Sequence, residues 1–287
     1  NSGADLLVSS GMTNAVTVTE AGGTDIFGAM GGGCMRYKTG SYADGQGYNL
    51  ALGFGKAMEN KAGKLTVAPF VEYGWGDYTS HLDSGIRGDG STKYYGIGVL
   101  ARQDDTNGVY YEGSLRCGRM DATYASNDML GSSGKVYASY DSSSNYYGVH
   151  VGIGKIVKMN DTDKTDVYAK LLHTHQTGDS VALRGKNLGE TYDFNSIDST
   201  RIRIGGRLSR DYNERGTGYA GLAYEYEFAG EARATVQGLS TPSPSIQGSS
   251  ALLELGYILQ TNDANDPVID IGLQGWLGKK QGVSGSV

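Results

Sequence analysis

The stretch "STRIRIGGRLSRD", residues 199–211, decides the fold class of this chain. Read with a period of two, as in a β-strand, it has one basic face and one apolar face. The two faces consist of Arg201, Arg203 and Arg207 on one side and Ile202, Ile204 and Leu208 on the other. In a soluble β-sandwich the apolar face packs on a second sheet, and solvent-facing charges are scattered rather than stacked in a column. The stacked guanidinium groups raise the question of which face of this strand is the inside.

Composition favours an all-β chain. The 287 residues include 46 Gly and 21 Tyr but only 4 Pro. Each Gly costs a helix about 1 kcal/mol relative to Ala, and Tyr is favoured in strands. The length fits one large β domain or two smaller ones, so length alone does not decide the number of domains.

Charge and cysteine content argue against several function classes. The chain has 25 basic and 31 acidic residues and a net charge of −6. No basic cluster is long enough to follow a phosphate backbone, so nucleic acid is not an expected partner. The two cysteines, Cys34 and Cys117, have neither the spacing of metal ligands nor the density of a disulfide scaffold. We expect both to be free structural thiols.

No segment of the sequence predicts a membrane-spanning helix. There is no run of about 20 apolar residues, and no secretory signal begins the chain. Low average hydrophobicity does not argue against a membrane β-barrel, however. The strands of such a barrel need only about 10 residues each and alternate apolar with polar residues.

Alternating segments recur along the chain and can be counted as strands. They lie near residues 26–39, 46–58, 64–80, 91–104, 108–124, 145–158, 164–178, 198–211, 217–229, 248–261, 266–278 and 281–287. Every second connection is a short polar turn, namely "ENKAG", "DDTN", "MNDTDK", "NERG" and "TNDAND". Longer segments lie between them, namely "HLDSGIRGDGS", "SNDMLGSSGKVYASYDSS", "GKNLGETYDFNSID" and "GEARATVQGLSTPSPSIQG". This alternation is typical of an all-β, up-and-down antiparallel outer-membrane barrel, here of about twelve strands, with its turns on the periplasmic side and its loops outside.

Assigning one face per strand separates apolar rows from charged rows. Apolar rows such as Leu253, Leu255, Tyr257 and Leu259 would face lipid, with aromatic residues near the strand ends at the level of the headgroups. The residues predicted to line the pore are Glu72, Glu112, Arg116, Lys170, Arg201, Arg203, Arg207, Glu225, Glu227 and Glu254. The charged side is then the inside. In a hydrated lumen each Arg–Glu pair would contribute only about 0.2–1 kcal/mol, so the pairs would order a pore rather than hold the fold together.

A soluble β-sandwich or propeller is the alternative fold. Its charged face would be an ordinary solvated surface. The strict alternation of turns and loops, the Tyr-rich strand ends and the continuous outward rows favour the barrel.

Seven motifs resemble the C-terminal β-barrel, or translocator, domain of bacterial autotransporters, the proteins of type V secretion. They are "RYKTGSY", "FVEYGWGDY", "YDSSSNYYGVHVGIG", "HTHQTGDSV", "DSTRIRIGGR", "AYEYEFAGEA" and "LQGWLGKKQGVSGSV". Each motif alone is weak, but their order and spacing together are specific, and they cover nearly the whole chain. The resemblance implies a twelve-stranded barrel crossed by an N-terminal helix. The implied function is to anchor or export an upstream passenger across the outer membrane.

The resemblance also implies a division of the chain and a set of partners. Residues 1–25 would be a pore-spanning helix or linker to the passenger, and residues 26–287 the barrel. The helix is expected from Ser2 and should end at Gly22–Gly23. The implied partners are outer-membrane lipid, the chain's own passenger and the barrel-assembly machinery. Such domains usually end in an aromatic residue, whereas this chain ends in "GSV", so we expect a fragment or the ordered part of a longer chain.

Catalysis has to be considered because outer-membrane barrels include proteases and lipases. The candidate residues are His173, His175, Asp179, Ser180, His81 and Asp83. His173 and His175 share a face that we assign outward, and no nearby carboxylate on that face completes a metal site. We predict no catalytic site, no metal and no cofactor. Some autotransporters cleave their own backbone at a lumenal Asn near the helix start, and Asn1 and Asn14 are the candidates for that reaction, although a chain start explains Asn1 equally well.

Two functions of different classes remain. The favoured one is an outer-membrane translocator and anchor without enzymatic turnover, whose passenger is displayed at the cell surface or secreted. The alternative is an outer-membrane channel or receptor whose long loops bind a ligand. A long passenger upstream would support the first, and a signal peptide directly before Asn1 the second.

Overall fold

Twelve antiparallel strands form one closed barrel in the computed structural model, which describes residues 1–20, 23–131, 134–185, 190–213, 215–259 and 268–287. Each barrel strand pairs with the next one along the chain, and the last pairs with the first. The barrel strands are β1 (Thr24–Lys38), β2 (Tyr42–Glu59), β3 (Gly63–His81), β4 (Arg87–Asp105), β5 (Val109–Gly131), β6 (Gly134–Lys158), β7 (Asp163–Gln176), β10 (Ile197–Asn213), β11 (Gly216–Glu227), β14 (Gly248–Leu259), β15 (Ile269–Gly278) and β16 (Lys280–Ser286). The predicted up-and-down barrel of about twelve strands is confirmed.

Exposure alternates along each strand in the sense opposite to that of a soluble sheet. On β14 the side chains of Leu253 and Leu255 are 49% and 48% exposed, whereas Glu254 between them is 4% exposed. On β10 Ile204 points outward while Arg203 is buried. The charged face of the opening stretch is therefore the inside, as its sequence pattern predicts.

The outward surface is a band of large apolar and aromatic side chains. Some of its aromatic members are in contact: the ring of Trp75 lies 5.4 Å from that of Tyr48 and 5.5 Å from that of Tyr73, measured between centroids. Tyr226 and Phe228 form a similar pair at 4.9 Å. Exposed aromatic residues of this kind are typical of membrane barrels at the level of the lipid headgroups.

The prediction of a loop over residues 126–143 is wrong, because most of these residues form the outer part of a long hairpin. β5 extends to Gly131 and β6 begins at Gly134. The rings of Tyr124 on β5 and Tyr140 on β6 stack across this hairpin with centroids 5.2 Å apart. The serine-rich sequence has a low strand propensity, and the hairpin forms because cross-strand packing overrides that propensity.

The region between the predicted strands 164–178 and 198–211 and the predicted loop 230–248 also contain strands. β8 (Asp179–Ala182), β9 (Thr191–Phe194), β12 (Ala234–Val236) and β13 (Leu239–Ser240) form a separate sheet in the order β13-β12-β9-β8. Phe194 packs on Tyr140 of the long hairpin, with ring centroids 5.3 Å apart. Burial in this aromatic group raises the pKa of the Tyr192 hydroxyl. Residues 186–189 of the predicted loop 185–198, residue 214 of the turn "NERG" and the whole turn "TNDAND" lie outside the described residues.

Glycines in the wall make room for aromatic side chains that point inward. Tyr146 of β6 lies over Gly96 and Gly118, and a Cβ atom at either glycine would overlap its hydroxyl group. A larger residue at these two positions would displace Tyr146 from the interior.

A helix lies inside the barrel, as predicted. This pore helix consists of α1 (Ser2–Leu6), a π-helical turn (Leu7–Gly11) and α2 (Met12–Val18). Within the described residues, no helix is both long and apolar enough to cross a bilayer. The pore helix packs on the wall through two apolar clusters, the smaller of which joins Ala4 and Val8 to Leu172 of β7. The members of the larger cluster are Leu7, Met12 and Ala15 of the helix and Phe27, Ala68, Phe70 and Leu100 of the strands.

The pore helix ends earlier than the sequence predicts. Its last residue is Val18, and the hydroxyl of Thr19 donates to the Ala15 carbonyl oxygen at 3.0 Å. A threonine side chain that bonds the preceding turn competes with the helical backbone. Of the predicted helix end at Gly22–Gly23, Gly22 lies outside the described residues.

We predict that Leu255→Arg destabilises the barrel by about 2–4 kcal/mol in lipid, because the charge would enter hydrocarbon near the bilayer midplane. The matched control is Leu259→Arg, which lies on the same face of β14 but at its turn end. This control should cost only about 0–1 kcal/mol. Urea unfolding in lipid vesicles measures both free energies of unfolding, and equal losses would contradict the assignment of the outward face.

Candidate functional site in the barrel lumen

Asp5 of α1 lies at the centre of a buried group of charges. Its Oδ1 atom accepts hydrogen bonds from Arg201 Nη1 and Arg203 Nη2, at 2.7 and 2.6 Å. Its Oδ2 atom accepts one from Lys280 Nζ at 2.5 Å. Glu225 also accepts from Arg203 Nε, at 2.9 Å. Both arginine side chains are 3% exposed, so this network has almost no contact with solvent.

Two wall residues extend this network. The Lys280 ammonium lies 3.5 Å from the ring centroid of Trp276, a cation–π contact. Glu227 accepts hydrogen bonds from the Ser199 hydroxyl at 2.6 Å and the Thr200 backbone at 2.8 Å. We call the whole group the Asp5 cluster, and its members are Asp5, Arg201, Arg203, Glu225, Glu227, Trp276 and Lys280.

The strand register brings the charges of this cluster together. Arg203 of β10 lies opposite Glu225 of β11, and Arg201 lies opposite Glu227. Because directly opposite residues point to the same face of an antiparallel pair, all four side chains enter the lumen as two adjacent cross-strand pairs. The pairing of β10 with β11 therefore assembles the wall of the Asp5 cluster.

A second charged group joins the wall to the π-helical turn. Lys170 Nζ lies 2.7 Å from Glu112 Oε1 and donates to the Val8 carbonyl oxygen at 2.8 Å. His150 Nε2 lies 3.1 Å from the same Glu112 oxygen. A π-turn interrupts the regular helical hydrogen bonding, and such turns are frequent at functional sites. Lys170 thus binds the helix backbone from the barrel wall.

The remaining predicted pore-lining residues also form pairs inside the barrel. Arg116 Nη1 lies 3.1 Å from Glu72 Oε2, and the Tyr146 hydroxyl donates to Glu72 Oε1 at 2.5 Å. Arg207 Nε donates to Glu254 Oε1 at 2.9 Å. Every one of the ten predicted residues therefore has an interior side chain with a partner of opposite charge.

The surroundings of these charges differ from the expectation for a hydrated lumen. Arg201 and Arg203 are enclosed between the pore helix and the wall. When one partner of such a buried pair is removed, the loss is about 3–5 kcal/mol, far above the value for a hydrated pair. The local sequence of β10 and β11 does not show this, because Asp5, which closes the group, is far away along the chain. The Asp5 cluster thus contributes to holding the helix in the barrel, which corrects the expectation that such pairs only order a pore.

Sequence reasoning missed three residues of the cluster: Asp5, Trp276 and Lys280. A usable signal existed for Asp5, which is the only charged side chain before Glu20 in a segment of small and apolar residues. A lone charge in such a segment needs a partner once the segment is buried. Nothing in the local sequence of Trp276 or Lys280 indicates their role.

A cavity of about 530 Å³ lies beside α1. Its lining includes Asn1, Tyr78, Tyr94 and Tyr146 and, on the loop side, Ile246. The pore helix therefore fills only part of the lumen at its N-terminal end. Below this level the apolar cluster around Leu7 and Met12 packs helix against wall.

The histidines predicted as catalytic or metal candidates lie outside the lumen. His173 and His175 point outward. Contrary to the prediction, a carboxylate lies close to them on that face. Asp198 lies opposite His175 on β10, with its Oδ1 atom 2.8 Å from His175 Nδ1. Cross-strand neighbours of this kind depend on register, which the sequence alone does not give. Within the described part of the chain, no group of three or more His, Cys, Asp or Glu side chains is placed to hold a metal ion.

The other candidate residues are not brought together. His81 stacks on Tyr42 at 4.4 Å, whereas Asp83 lies exposed in the following loop. Asp179 accepts from the Ser143 backbone at 2.7 Å, and the Ser180 hydroxyl donates to Asp193 at 2.6 Å. None of these contacts connects a nucleophile with a histidine.

The two candidates for self-cleavage and the two cysteines have ordinary contacts. Asn14 Nδ2 donates to the Gly28 carbonyl oxygen at 2.8 Å, and the Asn1 carbonyl oxygen accepts from the Asp5 backbone at 3.0 Å. Cys34 and Cys117 are free, as expected.

Three side chains in the lumen lie in a row in the order serine, histidine, carboxylate, which is the order found in many hydrolases. Ser114 Oγ lies 3.3 Å from His150 Nδ1, and His150 Nε2 lies 3.1 Å from Glu112. In a hydrolase the carboxylate orients the histidine and the histidine activates the serine. Here Glu112 is shared with Lys170, and the row connects β5, β6 and β7 with the pore helix.

Comparison with known proteins identifies the same architecture. A family model for the autotransporter β-domain matches residues 26–265. No curated protein sequence matches the chain. Among solved structures, the β-domain of the Bordetella autotransporter BrkA superposes with a TM-score of 0.68 at 18% sequence identity, covering 91% of this chain and 96% of that one.

Two further translocator structures are similar. The translocator domain of NalP from Neisseria meningitidis has a TM-score of 0.71 at 14% identity and covers 99% of this chain and 95% of its own. The transport unit of AIDA-I from Escherichia coli has a TM-score of 0.66 at 12% identity and covers 95% of each chain. At these identities the likeness establishes the fold, and the family match establishes the relationship.

We predict that Arg203→Gln destabilises the folded chain by about 3–5 kcal/mol, because Asp5 and Glu225 would lose a buried cationic partner. The control is Arg119→Gln, whose partner Asp121 is about half exposed on the outer surface. It should cost less than about 1 kcal/mol. Thermal or urea unfolding of the full chain in detergent compares the two. A loss for Arg203→Gln as small as that of the control would contradict a structural role for the Asp5 cluster.

Proposed function

The chain belongs to the autotransporter β-domain family, and from this we propose how its parts divide the work of secretion. The chain is an outer-membrane translocator and anchor, and the family places a passenger domain upstream of it. We propose that residues 1–25 connect this passenger to the barrel and that residues 26–287 form the membrane-embedded part.

The position of the pore helix is the observation that carries this proposal. Near its C-terminal end, Lys64 Nζ lies 3.4 Å from the Glu20 carbonyl oxygen at the turn side of the barrel. At its N-terminal end, Asn1 borders the same cavity as Pro244 and Ile246 of the loop side. A chain preceding Asn1 would therefore emerge among the long outer loops. This is the direction that display of a passenger outside the cell requires.

We propose that the ten paired charges line the conducting path when the helix is absent. With the helix in place they are enclosed by it or paired with one another. Glu72, Glu112, Glu225 and Glu254 each have a cationic partner in the wall, so the lumen would keep both signs of charge. Such a lumen suits the passage of an unfolded chain of mixed charge.

We further propose that the barrel has no enzymatic turnover. The row Ser114–His150–Glu112 is better explained as a structural network, because Ser114 is buried and Glu112 is bound by Lys170 in addition to His150. Loss of Ser114 would then leave secretion intact.

The outer surface supports two further partners. The apolar band suits outer-membrane lipid, since it leaves large side chains such as Leu222 and Ile271 exposed all around the barrel. The family relationship suggests the barrel-assembly machinery as the partner during insertion. The composition offers no support for a nucleic acid partner.

The export function is tested by placing a foreign passenger upstream of Asn1 in the full chain. We expect the passenger at the cell surface, where added protease removes it from intact cells. A stop codon after Ser240 is the control, because it removes β14, β15 and β16 and leaves the barrel open. Periplasmic retention of the passenger behind a correctly inserted, heat-modifiable barrel would contradict the proposal.

If the pore helix blocks the pore, removing residues 1–22 should leave a folded barrel with a much larger single-channel conductance. The helix then no longer fills the lumen. A matched control keeps the helix: Ser10→Cys with Ser286→Cys, made in a chain with Cys34 and Cys117 replaced by Ser. The two serine hydroxyl oxygens are 2.8 Å apart, so the new cysteines should form a disulfide that fixes the helix to the wall, and the conductance should stay as low as that of the intact chain. Equal conductance of truncated and intact barrels would show that the helix does not occlude the pore.

A further inference from the structure

Three cations of the barrel wall converge on a single carboxylate of the pore helix. Arg201, Arg203 and Lys280 each donate to Asp5, at distances between 2.5 and 2.7 Å. Hydrogen bonds between ionised partners at such lengths are the strong ones in proteins. The wall therefore binds the Asp5 carboxylate in the manner of a receptor for a carboxylate ligand.

Charge balance shows why a carboxylate is needed at this position. The wall of the Asp5 cluster contributes three cations but only two carboxylates, those of Glu225 and Glu227. Asp5 neutralises the remaining positive charge. Without it, one buried cation would have no anion, and an unpaired buried charge is unfavourable.

Arg201 has hydrogen-bond donors that none of the described residues around it accepts from. Its Nε and Nη2 atoms have no hydrogen-bond partner among the described residues, although the side chain is 97% buried. Both atoms belong to the same guanidinium group that donates to Asp5 through Nη1. A small cavity of about 20 Å³, roughly the size of a water molecule, borders Arg201, Lys280 and Tyr37. The site thus offers more donors than Asp5 and the two glutamates accept.

We propose that Arg201, Arg203 and Lys280 form a carboxylate-binding site inside the pore. Asp5 is its tethered ligand while the helix is in place. When the helix is elsewhere, the site binds aspartate and glutamate side chains of the polypeptide that passes through the barrel. This last step rests on the proposed export function, whereas binding of a carboxylate to the empty site does not.

The chemistry of the site favours acidic side chains over other groups. An arginine presents its donors in a planar fork that matches the two oxygens of a carboxylate. Lys280, which donates to Asp5, also makes a cation–π contact with the ring of Trp276. A positively charged side chain in transit would be repelled by the excess cation, and a neutral one would leave it unbalanced.

Chemical rescue tests the site with the full chain. Asp5→Ala removes the carboxylate, and sodium acetate then supplies one in solution. We expect acetate to raise the melting temperature of the Asp5→Ala chain, with an apparent affinity at least about tenfold higher than for the unmodified chain. Sodium chloride at equal ionic strength serves as the reference. If Asp5→Ala does not refold, acetate present during refolding should restore the barrel, and this rescue becomes the readout.

Two further variants separate the site from general salt effects. Asp44→Ala removes a carboxylate that Arg36 binds on the exposed outer surface, and acetate should not rescue it. Combining Asp5→Ala with Arg203→Gln should abolish the acetate effect. If acetate acts equally on all these chains, or on none, the carboxylate site is refuted even though export proceeds.

The export step has its own test. A linker before Asn1 with a run of glutamates should pass the barrel more slowly than the same linker with glutamines, and Lys280→Gln should remove at least half of this difference. Pulse-chase labelling with surface protease measures the rate. Failure of both linkers to reach the surface would contradict the export function while leaving the acetate result intact. Equal rates for both linkers would refute acidic side chains as the transported ligand.

Discussion

Every charged side chain inside this barrel must find a partner, and the rest of the structure follows from that constraint. A membrane barrel turns its apolar residues to lipid, so its polar residues have only the interior to occupy. Where the helix packs against the wall, water no longer solvates the charges. Arg201 and Arg203 illustrate the result: they are almost completely buried, and each contacts both Asp5 of the helix and Glu225 of the wall.

The same constraint explains how a weak helix is held in place. The segment contains Gly3, Ser9, Ser10 and Gly11, which are poor helix formers, and its middle turn is a π-turn. An isolated helix of this length is marginal in water. In the barrel it gains ion pairs at Asp5, a hydrogen bond from Lys170 to its backbone, and apolar packing around Leu7, Met12 and Ala15. Its stability therefore comes from the wall.

The strands, and the face that each one turns inward, could be predicted from the sequence because both depend on local patterns. Alternation over ten or more residues identifies a strand, and a strand such as β14 has its charge and its leucines on fixed, opposite faces. The long hairpin beyond residue 126 and the separate four-stranded sheet could not be predicted in this way. They depend on contacts such as Tyr140 on Phe194, between residues far apart in sequence.

The Asp5 cluster was even harder to predict from the sequence. Its charges lie on α1, β10, β11 and β16, and only their closure into a barrel brings them together. Yet the requirement that buried charges balance one another allows the missing partner to be inferred. The inward residues Arg201, Arg203, Glu225 and Glu227 balance one another in the paired strands β10 and β11, so Lys280 is the cation in excess. Since a buried excess charge is not tolerated, the lone aspartate of the preceding helix is the group that must neutralise it. Retention of the helix is thus a consequence of completing the charge balance of the wall.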